Sequence, residues 1–98
     1  MKVKILDAAE HDLEDGYYFF ERQSPGLGSY FLDTLYSDID SLKFFDGIHF
    51  KVFGYHRLLS KRFPFAVYYC VTENEVLVMA VLDCRKSPSW VRKKLSSL

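Results

Sequence analysis

Apolar positions recur with two different periods along this 98-residue chain, and the change of period divides it near residue 50. From Ala8 to Gln23 the residues Ala9, Leu13, Tyr17 and Phe20 return at helical spacing, while Glu10, His11, Asp12, Glu14 and Glu21 fall mostly elsewhere on the wheel. This is the pattern of an amphipathic helix. Val3 to Leu6 ahead of it reads as a short strand, and Asp7 as the helix cap. Gly16 weakens the helix by up to ~1 kcal/mol relative to alanine and marks close packing against a neighbour. His11 lies on the polar side and reads as solvated. Ser24-Pro25-Gly26-Leu27-Gly28 stops the helix, because proline cannot continue it. A second helix from Gly28 to Phe45 carries the stripe Phe31, Leu32, Leu35, Ile39 and Leu42, so the pair forms an antiparallel helical hairpin. Pro25-Gly26-Leu27-Gly28 superficially suggests a phosphate loop. No strand precedes it and no Lys-Ser or Lys-Thr follows, so it reads as a turn.

After a turn at Asp46 to His49 the period changes to that of strands. The spacing places strands at Val52 to Ser60, Pro64 to Thr72 and Val76 to Asp83, with turns at Lys61 to Phe63 and Glu73 to Glu75. That register sets Cys70 opposite a residue near Val78 and away from Cys84. Phe65 to Val71 and Val76 to Leu82 are apolar at nearly every position, so both faces of these strands require cover. The helical hairpin supplies one face; the other needs the chain's own C-terminal segment or a partner. Ser87-Pro88 has the form of an N-cap and first helical residue, which predicts a short basic C-terminal helix held to the sheet by Trp90. The expected class is α+β in one domain over residues 1–98: a short N-terminal strand, an antiparallel helical hairpin on a small antiparallel sheet (β-α-α-β-β-β), and the basic helix.

Charge adds a second division. The formal net charge is zero, yet residues 1–50 hold ten acidic and four basic side chains, and residues 51–98 three acidic and nine basic. This is either an accident of solvated faces or a cationic face suited to an acidic partner or a phosphate backbone. No stretch approaches the ~20 apolar residues of a membrane span, and the N-terminus runs into acids where a signal peptide would be apolar. A cytoplasmic location is expected, with no membrane partner and with Cys70 and Cys84 as reduced thiols. The cysteines lack the paired spacing of a zinc site, so no metal and no cofactor are expected.

The chemistry on offer is a cationic set, Arg57, Lys61, Arg62, Arg85 and Lys86, with His49, Tyr55, His56 and Tyr68 near it in the strands. Cations can stabilise a pentavalent phosphate while a histidine or tyrosine moves the proton, as a metal-independent endoribonuclease requires. The same cations can bind a carboxylate-rich partner without chemistry. Strand alternation puts Tyr55 and Arg57 on one face and His56 on the other, which argues against His56 and Arg57 acting as one unit.

The chain resembles the RelE/ParE superfamily of toxins from bacterial type II toxin-antitoxin systems, often called plasmid stabilisation proteins. The residues that carry the resemblance are Ala9 and Leu13, Pro25-Gly26-Leu27-Gly28 with Phe31-Leu32, Arg57 ahead of Lys61 to Tyr69, and Val78 to Leu82 followed by Arg85, Pro88 and Trp90. It implies an antitoxin that wraps the toxin and, through its own DNA-binding part, represses the shared operon; with the apolar strands and the cationic half, the leading expectation is growth inhibition neutralised by an acidic antitoxin laid along the sheet and the helical hairpin and covering the second apolar face. RelE-like members cut messenger RNA on the ribosome, and ParE-like members poison DNA gyrase. For the nuclease branch Arg57 matches a basic position on the family's second strand and Arg85 a basic position after its fourth, with Tyr68 or His56 as the candidates to stand in for the proton-transfer residue. Ala66, however, stands where those nucleases carry an arginine, and Trp90 where a tyrosine-like residue is expected. The resemblance therefore leans to the ParE-like branch. A binding module without toxicity is the third reading.

Overall fold

The structure, a computed structural model, describes residues 1–98. Strand β1 (Lys2–Ile5) leads into helix α1 (Asp7–Gln23), followed by α2 (Leu27–Asp40) and a single further turn, α3 (Leu42–Phe45). Strands β2 (Lys51–Val52), β3 (Tyr55–Leu59), β4 (Phe65–Val71) and β5 (Glu75–Asp83) and helix α4 (Pro88–Ser96) complete the chain. The five strands form one sheet in the order β1-β5-β4-β3-β2. The α+β class and the order of its elements match the sequence reading.

The helix expected from Gly28 to Phe45 is interrupted at Ser41, between α2 and α3, and three further details differ from that reading. The first is that the expected strand Val52 to Ser60 is broken by a two-residue turn at Phe53 and Gly54, whose φ angles are 52° and 88°. Positive φ at both central positions matches the right-handed twist of a hairpin, so β2 folds back on β3. The second concerns β1, which pairs with β5 in parallel and makes the sheet mixed. The third is the cap: Leu6 occupies that position, its N–H bonded to the Val78 carbonyl at 3.0 Å, and Asp7 is already helical. One residue is too short a junction for Asp7 to cap.

Strand β4 has no solvent face. Phe65, Val67 and Tyr69 point to the helical hairpin and join Leu13, Phe20, Phe31, Leu35 and Ile39 in the larger core. Ala66 and Tyr68 point the other way, where Ala80 and Leu82 of β5 meet Val91 and Leu95 of α4. The chain's own C-terminal helix thus covers the second face, which corrects the expectation that an antitoxin does so. Ser87 and Pro88 start α4 as their sequence predicts, with the Trp90 N–H donating to Ser87 Oγ at 3.2 Å. Val91 and Leu95 do the burying. Trp90 is only half-buried at the margin of that cluster.

Strand β5 changes faces partway along. Tyr68 pairs with Ala80 and Tyr69 with Val78, leaving Met79 as an extra residue in a bulge. Val76 and Val78 before it, and Val81 after it, therefore all face the hairpin. Beyond Val78, β1 no longer covers the outer edge of β5, and Asp12 Oδ2 accepts the Val81 N–H at 2.9 Å in place of a strand carbonyl. Burial pushes the Asp12 carboxyl above its ordinary value of 3.8, and the Val81 N–H opposes the rise.

The helical hairpin is held tightly. A Cβ on Gly28 would stand 2.6 Å from the Tyr17 carbonyl oxygen, and one on Gly16 2.5 Å from Phe31 Cε2. Glu21 fills the turn between the helices, accepting from the Gly28 N–H at 3.0 Å and the Gly26 N–H at 3.0 and 3.1 Å. The nest that superficially suggests a phosphate loop is occupied by the protein's own carboxylate.

Loop 46–50 is tied to the hairpin side of the sheet by a tyrosine and two histidines. The buried Tyr69 hydroxyl accepts the Gly47 N–H at 3.0 Å and is hydrogen-bonded to His49 Nδ1. His56 stacks on the Tyr69 ring, with centroids 5.0 Å apart, and donates Nδ1–H to the His49 carbonyl at 2.7 Å. Burial, and then the neighbouring His56, hold the His49 imidazole below its ordinary 6.5.

Two outcomes are expected. Gly16→Ala drives its methyl into Phe31, whose ring is fixed by Phe20, Phe63 and Phe65 at centroid distances of 5.1, 5.2 and 4.9 Å. Overpacking costs about 1–3 kcal/mol, more than the up to ~1 kcal/mol alanine gains in helix propensity, so urea denaturation shows a net loss of stability. The depressed His49 means that the unfolded chain binds its proton first. The contribution of His49 is complete above its unfolded value of 6.5 and is lost as pH falls through 6.5 towards the lower folded value. Thermal melts at descending pH show this loss in the native chain, and His49→Gln makes it smaller.

Candidate functional site

Arg57 lies on β3 directly across from Tyr68 of β4, on the face that α4 covers in part. Burial pushes the Tyr68 phenol above its ordinary 10.0, and the nearby Arg57 charge opposes that rise. The Cys84 thiol behaves alike: burial raises it above 9.0 while Arg57 pulls it down. Both groups keep their protons at neutral pH. A guanidinium beside a protonated phenol is a combination that can hold an oxyanion and give it a proton. Tyr68 is only 3% exposed, so little of the phenol meets solvent.

Of the remaining candidate cations, three engage partners of their own. Arg85 turns back on Asp83, with Nε donating to Oδ1 at 2.9 Å and Nη2 to Oδ2 at 2.8 Å, in a bidentate pair. These hydrogen bonds hold the Asp83 carboxyl below its ordinary 3.8. Lys86 stands over the Trp90 ring, 5.5 Å from its centroid. Lys61 is exposed in the loop before β4. Its neighbour Arg62 reaches the helical hairpin, where Nη1 donates to the Tyr30 hydroxyl at 3.1 Å. His56 faces the hairpin with Tyr69, as alternation predicts, so the sheet itself separates it from Arg57. Tyr55 shares the Arg57 face and packs beside the α4 cluster.

A second grouping of charges involves two cations, Arg22 and Lys94, that sequence reasoning did not single out. A groove of about 550 Å³ runs between α1 and α4 over the uncovered edge of β5, and its walls carry Arg22, Lys86 and Lys94 with Trp90, facing the carboxylates of Asp12, Asp15 and Asp83. Lys94 Nζ stands 5.7 Å from the Trp90 centroid, on the same ring as Lys86. Arg92 lies over Phe53, 5.1 Å away. The i, i+4 spacing of Trp90 and Lys94 is a signal the sequence carries. Arg22 carries none, because it lies in the acidic half and reaches the groove only through the fold.

No protein-family model matches the chain, and no curated protein matches it. Six chains of solved structures do. One of them belongs to the structure described as the "Chromosomal ParDE TA system from P. aeruginosa", with a TM-score of 0.75 and 20% sequence identity. The match covers 83% of this chain and 92% of that one. At that identity the likeness is one of fold, and the fold is the one that the sequence resemblance implies.

Proposed function

We propose that this chain is a ParE-like toxin of the RelE/ParE superfamily. It is the component of a type II toxin-antitoxin system that inhibits growth by poisoning DNA gyrase in the cytoplasm, as a single domain over residues 1–98, until a cognate antitoxin neutralises it. The observation that carries this reading is the fold likeness to a chain of the ParDE system over 83% of the sequence. The separate engagement of Arg62 with Tyr30, Arg85 with Asp83 and Lys86 with Trp90 supports a protein-binding surface over a phosphate-cleaving centre. On this reading the antitoxin docks on what the fold leaves free, since α4 occupies the second face of the sheet.

One observation favours a second reading. Arg57 across from the protonated Tyr68 pairs a cation with a proton donor, the minimum that an endoribonuclease acting on messenger RNA at the ribosome requires, although at 3% exposure the Tyr68 side chain offers substrate little contact. The two readings separate on induced expression of the chain alone in a bacterium, followed by assays of message integrity and of supercoiling by gyrase. Gyrase inhibition with intact message is the expected result, and rapid message cleavage overturns it in favour of the nuclease. Unimpaired growth leaves a binding module without toxicity.

Both Arg57→Ala and Arg85→Ala are expected to reduce toxicity. Neither side chain belongs to the buried cores, so melting curves show little change. Full toxicity of both variants at equal expression removes the cationic face from the mechanism.

A further inference from the structure

Five of the twelve large apolar side chains that the chain exposes fall between Phe44 and Phe53, where α3 leads into β2. Phe44, Phe45, Ile48 and Phe50 are 80%, 55%, 69% and 92% exposed. An aromatic side chain carries about 150–250 Å², so these four leave on the order of 500 Å² of apolar surface in water. None of them joins either core or packs against one. The fold does not force this exposure, since a one-turn helix and an open loop accept polar residues at the same positions.

The segment is pinned from several sides. The Tyr69 hydroxyl accepts the Gly47 N–H at 3.0 Å and is hydrogen-bonded to His49, whose carbonyl accepts from His56 at 2.7 Å. The N-terminal ammonium donates to the Lys43 carbonyl at 3.2 Å, and the Arg57 N–H to the Phe50 carbonyl at 3.0 Å. Rings on a pinned backbone lose little entropy when they are covered, as a preformed interface requires. Strand β2 is the edge of the sheet, but it is only two residues long and bears Lys51, which discourages an added strand. Whatever covers the rings therefore does so through side chains.

Charge and area identify the cover. The two formal charges of the segment, Asp46 and Lys51, are opposite in sign, and neither has an ion-pair partner in the chain. An apolar patch flanked by one acid and one base is complementary to itself. A two-fold axis near Ile48 and His49 brings Asp46 of each copy toward the partner's Lys51, with the rings packed between. A standard interface takes about 800 Å² from each side, and homodimer interfaces are about 65% apolar. The exposed rings supply what one side of such a contact needs.

We propose that residues 44–53 form an isologous interface between two copies of this chain. The pairing does not depend on which target the chain acts on.

Sedimentation equilibrium of the full chain from about 1 to 100 μM tests it, the range in which a standard interface of modest affinity dissociates. A monomer–dimer equilibrium is expected. Phe50→Asp, at a position too exposed to disturb folding, weakens it at least about tenfold while circular dichroism stays native. Tyr18→Ser, on an exposed ring of α1 outside the segment, leaves it unchanged. Asp46→Lys or Lys51→Asp alone sets like charges against each other and weakens the dimer, and the two together restore it. The proposal is overturned by a chain that stays monomeric at about 100 μM, by a dimer indifferent to Phe50→Asp or lost with Tyr18→Ser, or by failure of the exchanged charges to recover association. A monomer that sediments instead with phosphatidylcholine–phosphatidylglycerol vesicles, and ceases to with Phe50→Asp, overturns it in favour of a lipid surface.

Discussion

The two-sided burial of β4 is the constraint on which the rest of the molecule depends, because a strand with Phe65, Val67 and Tyr69 on one face and Ala66 and Tyr68 on the other cannot meet water on either side. Each large apolar side chain taken out of water contributes about 1.5–3 kcal/mol, far more than any surface ion pair offers. The helical hairpin must therefore lie on one face and α4 on the other. The close approaches at Gly16 and Gly28 let two helices fit over a sheet this narrow. The Met79 bulge keeps β5 in step with the hairpin as the strand twists.

The same arrangement sorts charge in space. The acidic first half becomes the hairpin, whose outer surface presents Asp7, Glu10 and Glu14 beside tyrosines. The basic second half becomes the sheet edge and α4, where Lys86 and Lys94 share the ring of Trp90. Zero net charge thus conceals two halves of opposite sign, which meet in the groove between α1 and α4, where Asp12 and Asp15 stand with Lys86 and Lys94. Because α4 covers the second face over Ala66, Tyr68, Ala80 and Leu82, a partner is left with the rest of that face, the grooves and the edges.

Of the candidate site, the strand alternation was legible. Tyr55 and Arg57 share a face, and His56 takes the other with Tyr69, since side chains of a strand alternate with period two. What could not be read was convergence. Arg85 and Lys86 are adjacent in sequence, yet one folds back on Asp83 and the other rises over Trp90. Arg22 and Lys94 meet across one groove from opposite ends of the chain. Long cationic side chains are placed by whichever carboxylate or ring stands near, and that is decided by tertiary packing.

The sequence by itself determined the elements, because periodicity, proline and glycine act locally. The helical hairpin, the strands around Phe65 to Val71 and Val76 to Leu82, and the Ser87-Pro88 start of α4 all follow from short-range pattern. Only the tertiary structure decided the parallel pairing of β1 with β5, the Phe53-Gly54 hairpin, the bulge at Met79 and the closure of the second face by α4. Continuous apolar runs such as Val76 to Leu82 carry no alternation from which a face or a bulge can be read. A segment that can cover a sheet looks the same in sequence whether it covers its own sheet or leaves that to a partner. Which surface is finally left open depends on the sum of contacts across the whole chain.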